Sequence, residues 1–268
     1  MLTKTQILER ERRGTLIAGI AAVAGVALIL ASFGDSAAGV RAGVGLAERL
    51  NEVDGERGRL VVASVVQLIG WALLAVPLVF MFRAAAARSD RVRTGLIGVL
   101  IAAPLFIGFG GLVSAGSILQ AATDFKDVPV ATITKCVDGK AEAAEGTPTT
   151  AQLAEYEEEC ADDAAKDVRG DVSLASLETG LGLAGLLGFT VSVVYVSLWS
   201  MRTGLLTRFW GSLGLALGAV FVFFTLFTLI WFIYIGLLLA GWVPGGRPPA
   251  WAAGEAVEPP RPSGGLFG

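Results

Sequence analysis

FWGSLGLALGAVFVFFTLFTLIWFIYIGLLLAGW, residues 209–242, runs for 34 residues without an Asp, Glu, Lys or Arg. As one helix this run would measure about 51 Å at roughly 1.5 Å per residue. That is well beyond a bilayer hydrocarbon core of about 30 Å. Two readings follow. A turn near residues 223–226 divides the run into two short helices, although neither Gly nor Pro marks it; the alternative is one strongly tilted helix. The divided reading is preferred.

Four more uncharged runs lie upstream, at residues 14–34, 60–82, 94–123 and 179–201. Each is long enough for one transmembrane helix. The expected fold is therefore an all-α membrane protein, a bundle of six transmembrane helices, or five if residues 209–242 form one. Composition agrees, with 54% hydrophobic residues and a mean hydropathy of +0.66, above the values of soluble chains. Residues 14–34 follow Lys4, Arg10, Arg12 and Arg13, the arrangement of a secretory signal. Their length and the further runs behind them favour a retained helix.

Charge is segregated along the chain. Residues 1–13 carry four basic side chains against Glu9 and Glu11, the loop 83–93 carries four against Asp90, and the connection after residue 201 adds Arg202 and Arg208. Basic loops alternate with the others, so the positive-inside rule places the N-terminus in the cytoplasm. Residues 124–178 carry fourteen acidic side chains against five basic ones and fall on the opposite side. The organisation expected is a cytoplasmic N-terminus (1–13), three helices (14–123) with an outer loop 35–59 and the inner loop 83–93, an extracytoplasmic acidic loop (124–178), three helices (179–242) and a flexible tail (243–268).

Cys136 and Cys160, both in the acidic loop, would face an oxidising compartment and form a disulfide. Within that loop, residues 130–137 alternate β-formers with polar residues before Asp138-Gly139, so a short strand and a turn are expected. Thr149-Thr150 can cap a helix over residues 151–165, with Leu153, Tyr156 and Cys160 at helical spacing. Val40, Val44, Leu46, Leu50 and Val53 form a helical stripe in the first outer loop.

Small residues recur at four-residue spacing in Gly14, Ala18 and Ala22; in Gly180, Ala184 and Gly188; and in Gly214 and Gly218, marking faces where helices pack closely. Trp199, Arg202, Arg208, Trp210 and Trp242 read as interface anchors. Pro77 and Pro104 should kink their helices. Gln67, Gln120, Ser114, Ser117, Thr190, Ser192 and Tyr195 are expected to hydrogen-bond between helices.

Histidine is absent, which excludes His-based nucleophile activation and imidazole metal sites. No ionisable residue falls inside a run, which argues against a coupled transporter. Glu157, Glu158, Glu159, Asp162 and Asp163 read as a solvated helix face, since neighbouring carboxylates on a helix diverge. No catalytic residue, metal, cofactor or nucleic acid is expected.

SMRTGLLTRFWGSLGLALG, residues 200–218, and GGRPPAWAAGEAV, residues 245–257, resemble segments of uncharacterised actinobacterial multi-pass membrane proteins. The resemblance implies six helices with a cytoplasmic tail, and no functional residue. The expected role is a non-catalytic interaction or scaffold protein of the cell membrane, with the lipid bilayer as its setting and residues 124–178 as a surface for another envelope protein. The alternative is a channel or permease for a neutral or lipophilic solute.

Overall fold

The computed structural model describes residues 3–33, 45–144, 147–170, 172 and 174–257. Every regular element among them is helical: α1 (Lys4–Ser32), α2 (Leu46–Gly55), α3 (Arg57–Ala86), α4 (Ile97–Lys126), α5 (Val130–Ala143), α6 (Thr150–Gly170), α7 (Ala175–Arg202), α8 (Arg208–Ala219), α9 (Thr225–Ala240) and α10 (Ala250–Ala253). A single 3-10 turn, Thr94–Leu96, leads into α4. Four helices are long and apolar enough to cross a membrane: α1, α3, the run Thr94–Lys126 and α7. A helix is the form in which such an uncharged run satisfies its own backbone groups without water. Pro77 and Pro104 lie inside α3 and α4, both of which continue past them.

The chain divides into two compact units. The first comprises residues 1–31, 68–108 and 181–268. At its centre Trp71 meets Phe189 edge-on at 5.4 Å and Phe221 at 6.1 Å, and Phe189 lies 5.8 Å from Phe232. In lipid such packing holds helices together through dispersion and close fit, because burial there removes no water.

The long apolar run is divided, as the preferred reading expects. α8 has 12 residues and α9 has 16, about 18 and 24 Å. They return on each other: Trp210 stacks on Tyr234, Trp231 Nε1 donates to the Trp210 carbonyl at 3.1 Å, and Thr228 Oγ1 donates to the Leu217 carbonyl at 3.5 Å. The turn needs neither Gly nor Pro because its polar groups find local partners. The Phe223 and Phe224 N–H groups donate to the Val220 carbonyl at 3.0 and 3.1 Å, and Thr225 Oγ1 donates to the Phe221 carbonyl at 3.0 Å. Phe221, at this turn, touches Trp71, the middle residue of the run 60–82, and Phe189, beside the middle of 179–201.

The tail departs from expectation over residues 243–257. Its composition suggested mobile chain, and it is largely irregular, but Ala250 and Trp251 are buried. Trp251 Nε1 donates to the Leu205 carbonyl at 3.0 Å, and its ring lies parallel to Phe80 at 6.2 Å. Arg88 donates to both carboxylate oxygens of Glu11 and, at 3.0 Å, to the Ala250 carbonyl. Lys4 pairs with Glu255 at 2.5 Å, so the tail ends beside the start of α1. Gly204 has φ +75°, which an L side chain rarely adopts. A Cβ there would also lie 2.2 Å from the Val257 carbonyl oxygen. The remainder of the expected flexible segment, residues 258–268, lies outside the described residues.

The second unit comprises residues 32–67 and 109–180. Its core gathers Leu50 of α2, Leu60 of α3, Ala115, Ile118 and Ala122 of α4, and Ala165 of α6. Leu50, from the stripe expected in the first outer loop, is buried, and Leu46 and Val53 pack beside it; Val40 and Val44 lie outside the described residues.

The expected strand over residues 130–137 is instead the first half of α5. Pro129 stands at the N-cap, where its missing N–H removes nothing a helix needs. Thr134 Oγ1 donates back to the Val130 carbonyl at 3.1 Å. A lone two-stranded hairpin is marginal in water, whereas a helix here packs along α6. The β-propensity of Val130, Thr132, Ile133 and Thr134 was overridden by that partner.

Candidate functional site

The acidic loop builds the candidate site from two helices and a bridge. α6 begins with a reciprocal cap: the Gln152 N–H donates to Thr149 Oγ1 at 3.3 Å, and the Thr149 N–H donates to Gln152 Oε1 at 2.9 Å. This satisfies two of the free donors at the helix start. Cys160, one of the two buried residues of α6, bonds Cys136 of α5, with Cα atoms 5.9 Å apart. The disulfide expected from sequence is thus present, and it joins helix to helix where helix to strand was expected. Lys140 pairs with Glu159 at 2.7 Å beside it.

α2 closes against α6 through one charged cap: the Ala47 N–H donates to Asp162 Oδ1 at 2.9 Å. A carboxylate at a helix start complements the partial positive charge there. On the exposed side, Lys166 sits 2.9 Å from Asp163; this hydrogen bond and then the charge hold the Asp163 carboxyl below its ordinary range and raise the Lys166 ammonium. Burial, and then the Arg169 guanidinium, push Arg49 below its usual value. Among the described residues no three His, Cys, Asp or Glu side chains converge as a metal site. What the arrangement offers is an acidic helix, α6, joined covalently to α5, whose own charges balance. α5 itself buries none of its residues.

No family model, curated protein or solved structure matches this chain. The geometry alone must therefore carry the functional reading.

The small residues singled out from sequence divide by face. A Cβ on Gly14 would meet the Phe80 ring at 2.6 Å, and Ala18 and Ala22 are buried. A Cβ on Gly214 would meet Ser197 Oγ at 2.3 Å, and one on Gly218 would meet Val194 at 2.9 Å. In the third set Gly188 abuts Ala103, but Ala184 is exposed and Gly180 has open space around it. The packed face of α7 lies one position round, at Gly185, where a Cβ would sit 2.7 Å from the Ile107 nitrogen. Four-residue spacing drifts around a helix of 3.6 residues per turn, which is why the set straddles two faces.

The aromatic and basic anchors cluster near the ends of α7, α8 and α9. The Arg202 guanidinium lies 5.3 Å from the Trp199 ring, Arg208 is exposed, Trp210 is half-buried on Tyr234, and Trp242 is 74% exposed. Of the polar residues expected to bond between helices, the Tyr195 hydroxyl accepts from the Arg93 N–H at 2.9 Å. Ser192 bonds within its own helix, to the Gly188 carbonyl at 2.7 Å, because a serine hydroxyl reaches the preceding turn. Ser117 Oγ is buried and has no hydrogen-bond partner among the described residues.

Sequence reasoning missed the cluster of Arg88, Glu11 and Trp251. A local signal existed for part of it: PPAWAAG, residues 248–254, has Pro at its start and Gly at its end, the punctuation of a short helix. Its docking site could not be read from the chain.

Proposed function

We propose that this chain is an integral protein of the cell membrane that works without catalysis, as an interaction or scaffold protein engaging another envelope protein through residues 124–178. The observation that carries the reading is α5, a 14-residue helix with no buried residue, stiffened by the Cys136–Cys160 bridge to α6. Locking a helix in place before binding lowers the entropy lost on association. The net negative charge of these residues would suit a partner with a basic face.

The topology proposed with it puts both termini in the cytoplasm and residues 124–178 outside, on the charge pattern of the loops. Pairing of Lys4 with Glu255 supports the common side of the two ends. For the last apolar run, we favour a re-entrant hairpin over two full crossings. α8 and α9 are both shorter than the hydrocarbon core, and their turn sits beside the midpoints of two uncharged runs. Four crossings plus that hairpin keep the even count that six crossings would give. The resemblance of residues 200–218 and 245–257 to actinobacterial multi-pass proteins implies six helices, and of this arrangement it supports the cytoplasmic tail.

A channel or permease is less favoured, since Trp71, Phe189, Phe221 and Phe232 fill the centre of the first unit. The test is site-specific photo-crosslinking in native membranes, with the probe at Val130 or Ala131 of α5, both exposed. A discrete adduct that disappears after reduction of the disulfide is expected. Recovery of the isolated chain alone, from every α5 position at native expression, defeats the reading.

A further inference from the structure

A crevice of about 950 Å³ opens between α1 and α3 in the first unit. Its walls are apolar, formed by Ile17 and Ala18 on one side and by Ala72 and Val76 on the other, and its mouth carries Arg10, Arg13 and Arg83. From Arg83 to Ala72, α3 runs about 16 Å at roughly 1.5 Å per residue, close to the hydrocarbon depth of one leaflet, about 15 Å. The slot is open sideways, since Ile17 and Val76 remain partly exposed.

The charges at the mouth do not cancel. Glu9 is engaged by Arg13 at 2.7 Å, and Glu11 by Arg88. The side chains of Arg10 and Arg83 make no ion pair or hydrogen bond among the described residues, and both are exposed. Arginine presents a planar fork of donors that matches phosphate oxygens two at a time. Two unengaged guanidinium groups above an apolar slot one leaflet deep have the shape and charge of a complement to one class of molecule.

The geometry points to a binding site for an anionic phospholipid of the cytoplasmic leaflet, with its phosphate between Arg10 and Arg83 and an acyl chain along the α3 wall. The site rests on the topology proposed above for its leaflet, and it is independent of the outer helix pair, so the partner reading and the lipid reading can fail separately. A zwitterionic lipid offers the same chains but no net charge. Selectivity therefore comes from the two arginines and occupancy from the slot.

The test is native mass spectrometry of the full chain titrated with phosphatidylglycerol or phosphatidylcholine of identical chains. Retention of phosphatidylglycerol about fivefold or more above phosphatidylcholine is expected, within the roughly 1 kcal/mol that each basic residue contributes near an anionic surface. Arg10→Gln with Arg83→Gln should bring the two lipids to parity, and Val76→Phe, which narrows the slot, should lower retention of both. Gel filtration checks that the variants remain folded. Equal retention of both lipids by the unaltered chain, an undiminished preference in the double variant, or displacement of the lipid by millimolar inorganic phosphate would each overturn the proposal.

Discussion

Arg88 is the residue on which the start of α1, the end of α3 and the tail of the first unit converge. Its guanidinium is fully enclosed, donates to Glu11 on α1 and to the Ala84 and Ala250 carbonyls, and lies 5.7 Å from the Trp251 ring. Removing one partner of a buried ion pair strands the other charge, at about 3–5 kcal/mol, whereas removing both leaves no charge uncompensated. Arg88→Leu should thus sharply lower the thermal midpoint in detergent, and Arg88→Leu with Glu11→Leu should regain a large part of the loss. A double variant no more stable than the single one would show that the ion pair is not what holds this corner.

At the scale of elements, α5 shows how a covalent bond substitutes for a core. The helix fully buries no residue: only one half-buried face packs along α6, and the bridge to Cys160 confines it across 24 positions of chain. A loop of that size contributes about 3 kcal/mol by restricting the unfolded state. Replacing Cys136 and Cys160 with Ser should raise amide hydrogen exchange over residues 130–143 while leaving α3 and α7 protected. Unchanged exchange in α5 would mean that its contacts with α6 suffice. The α8–α9 hairpin poses the opposite problem: it is mostly apolar, and its turn frees backbone groups that need partners. Thr225 and Thr228 supply the hydroxyls that occupy carbonyls freed there, as the re-entrant placement proposed above would require of a turn in lipid.

For the whole molecule the decisive measurement is sidedness. Single cysteines introduced as Ala154→Cys, Phe223→Cys and Ala256→Cys, probed in intact cells with a membrane-impermeant thiol reagent, report on the acidic loop, the hairpin turn and the tail. All three positions are exposed on the protein, so protection from the reagent reports the membrane. Labelling at 154 alone is expected, with 256 becoming reactive only after permeabilisation and 223 remaining protected on both sides. Labelling at 223 from outside would mean that α8 and α9 cross fully and that there are six spans.

Helical class, the positions of the four long apolar helices and the disulfide were legible in the chain, because each depends on local facts: an uncharged run of sufficient length, or two cysteines in one loop. The division of residues 209–242 was legible from length alone, though the turn came a few residues earlier than expected, where threonine hydroxyls were within reach of carbonyls. Tertiary structure alone decided α5, the packed face of α7, and the docking of Trp251 beside Arg88. In each case the outcome depends on a partner distant in sequence, Cys160 for α5, Ile107 for Gly185, Glu11 and Leu205 for the tail. Propensity and spacing carry no information about which distant group will be near, and that proximity set the energy.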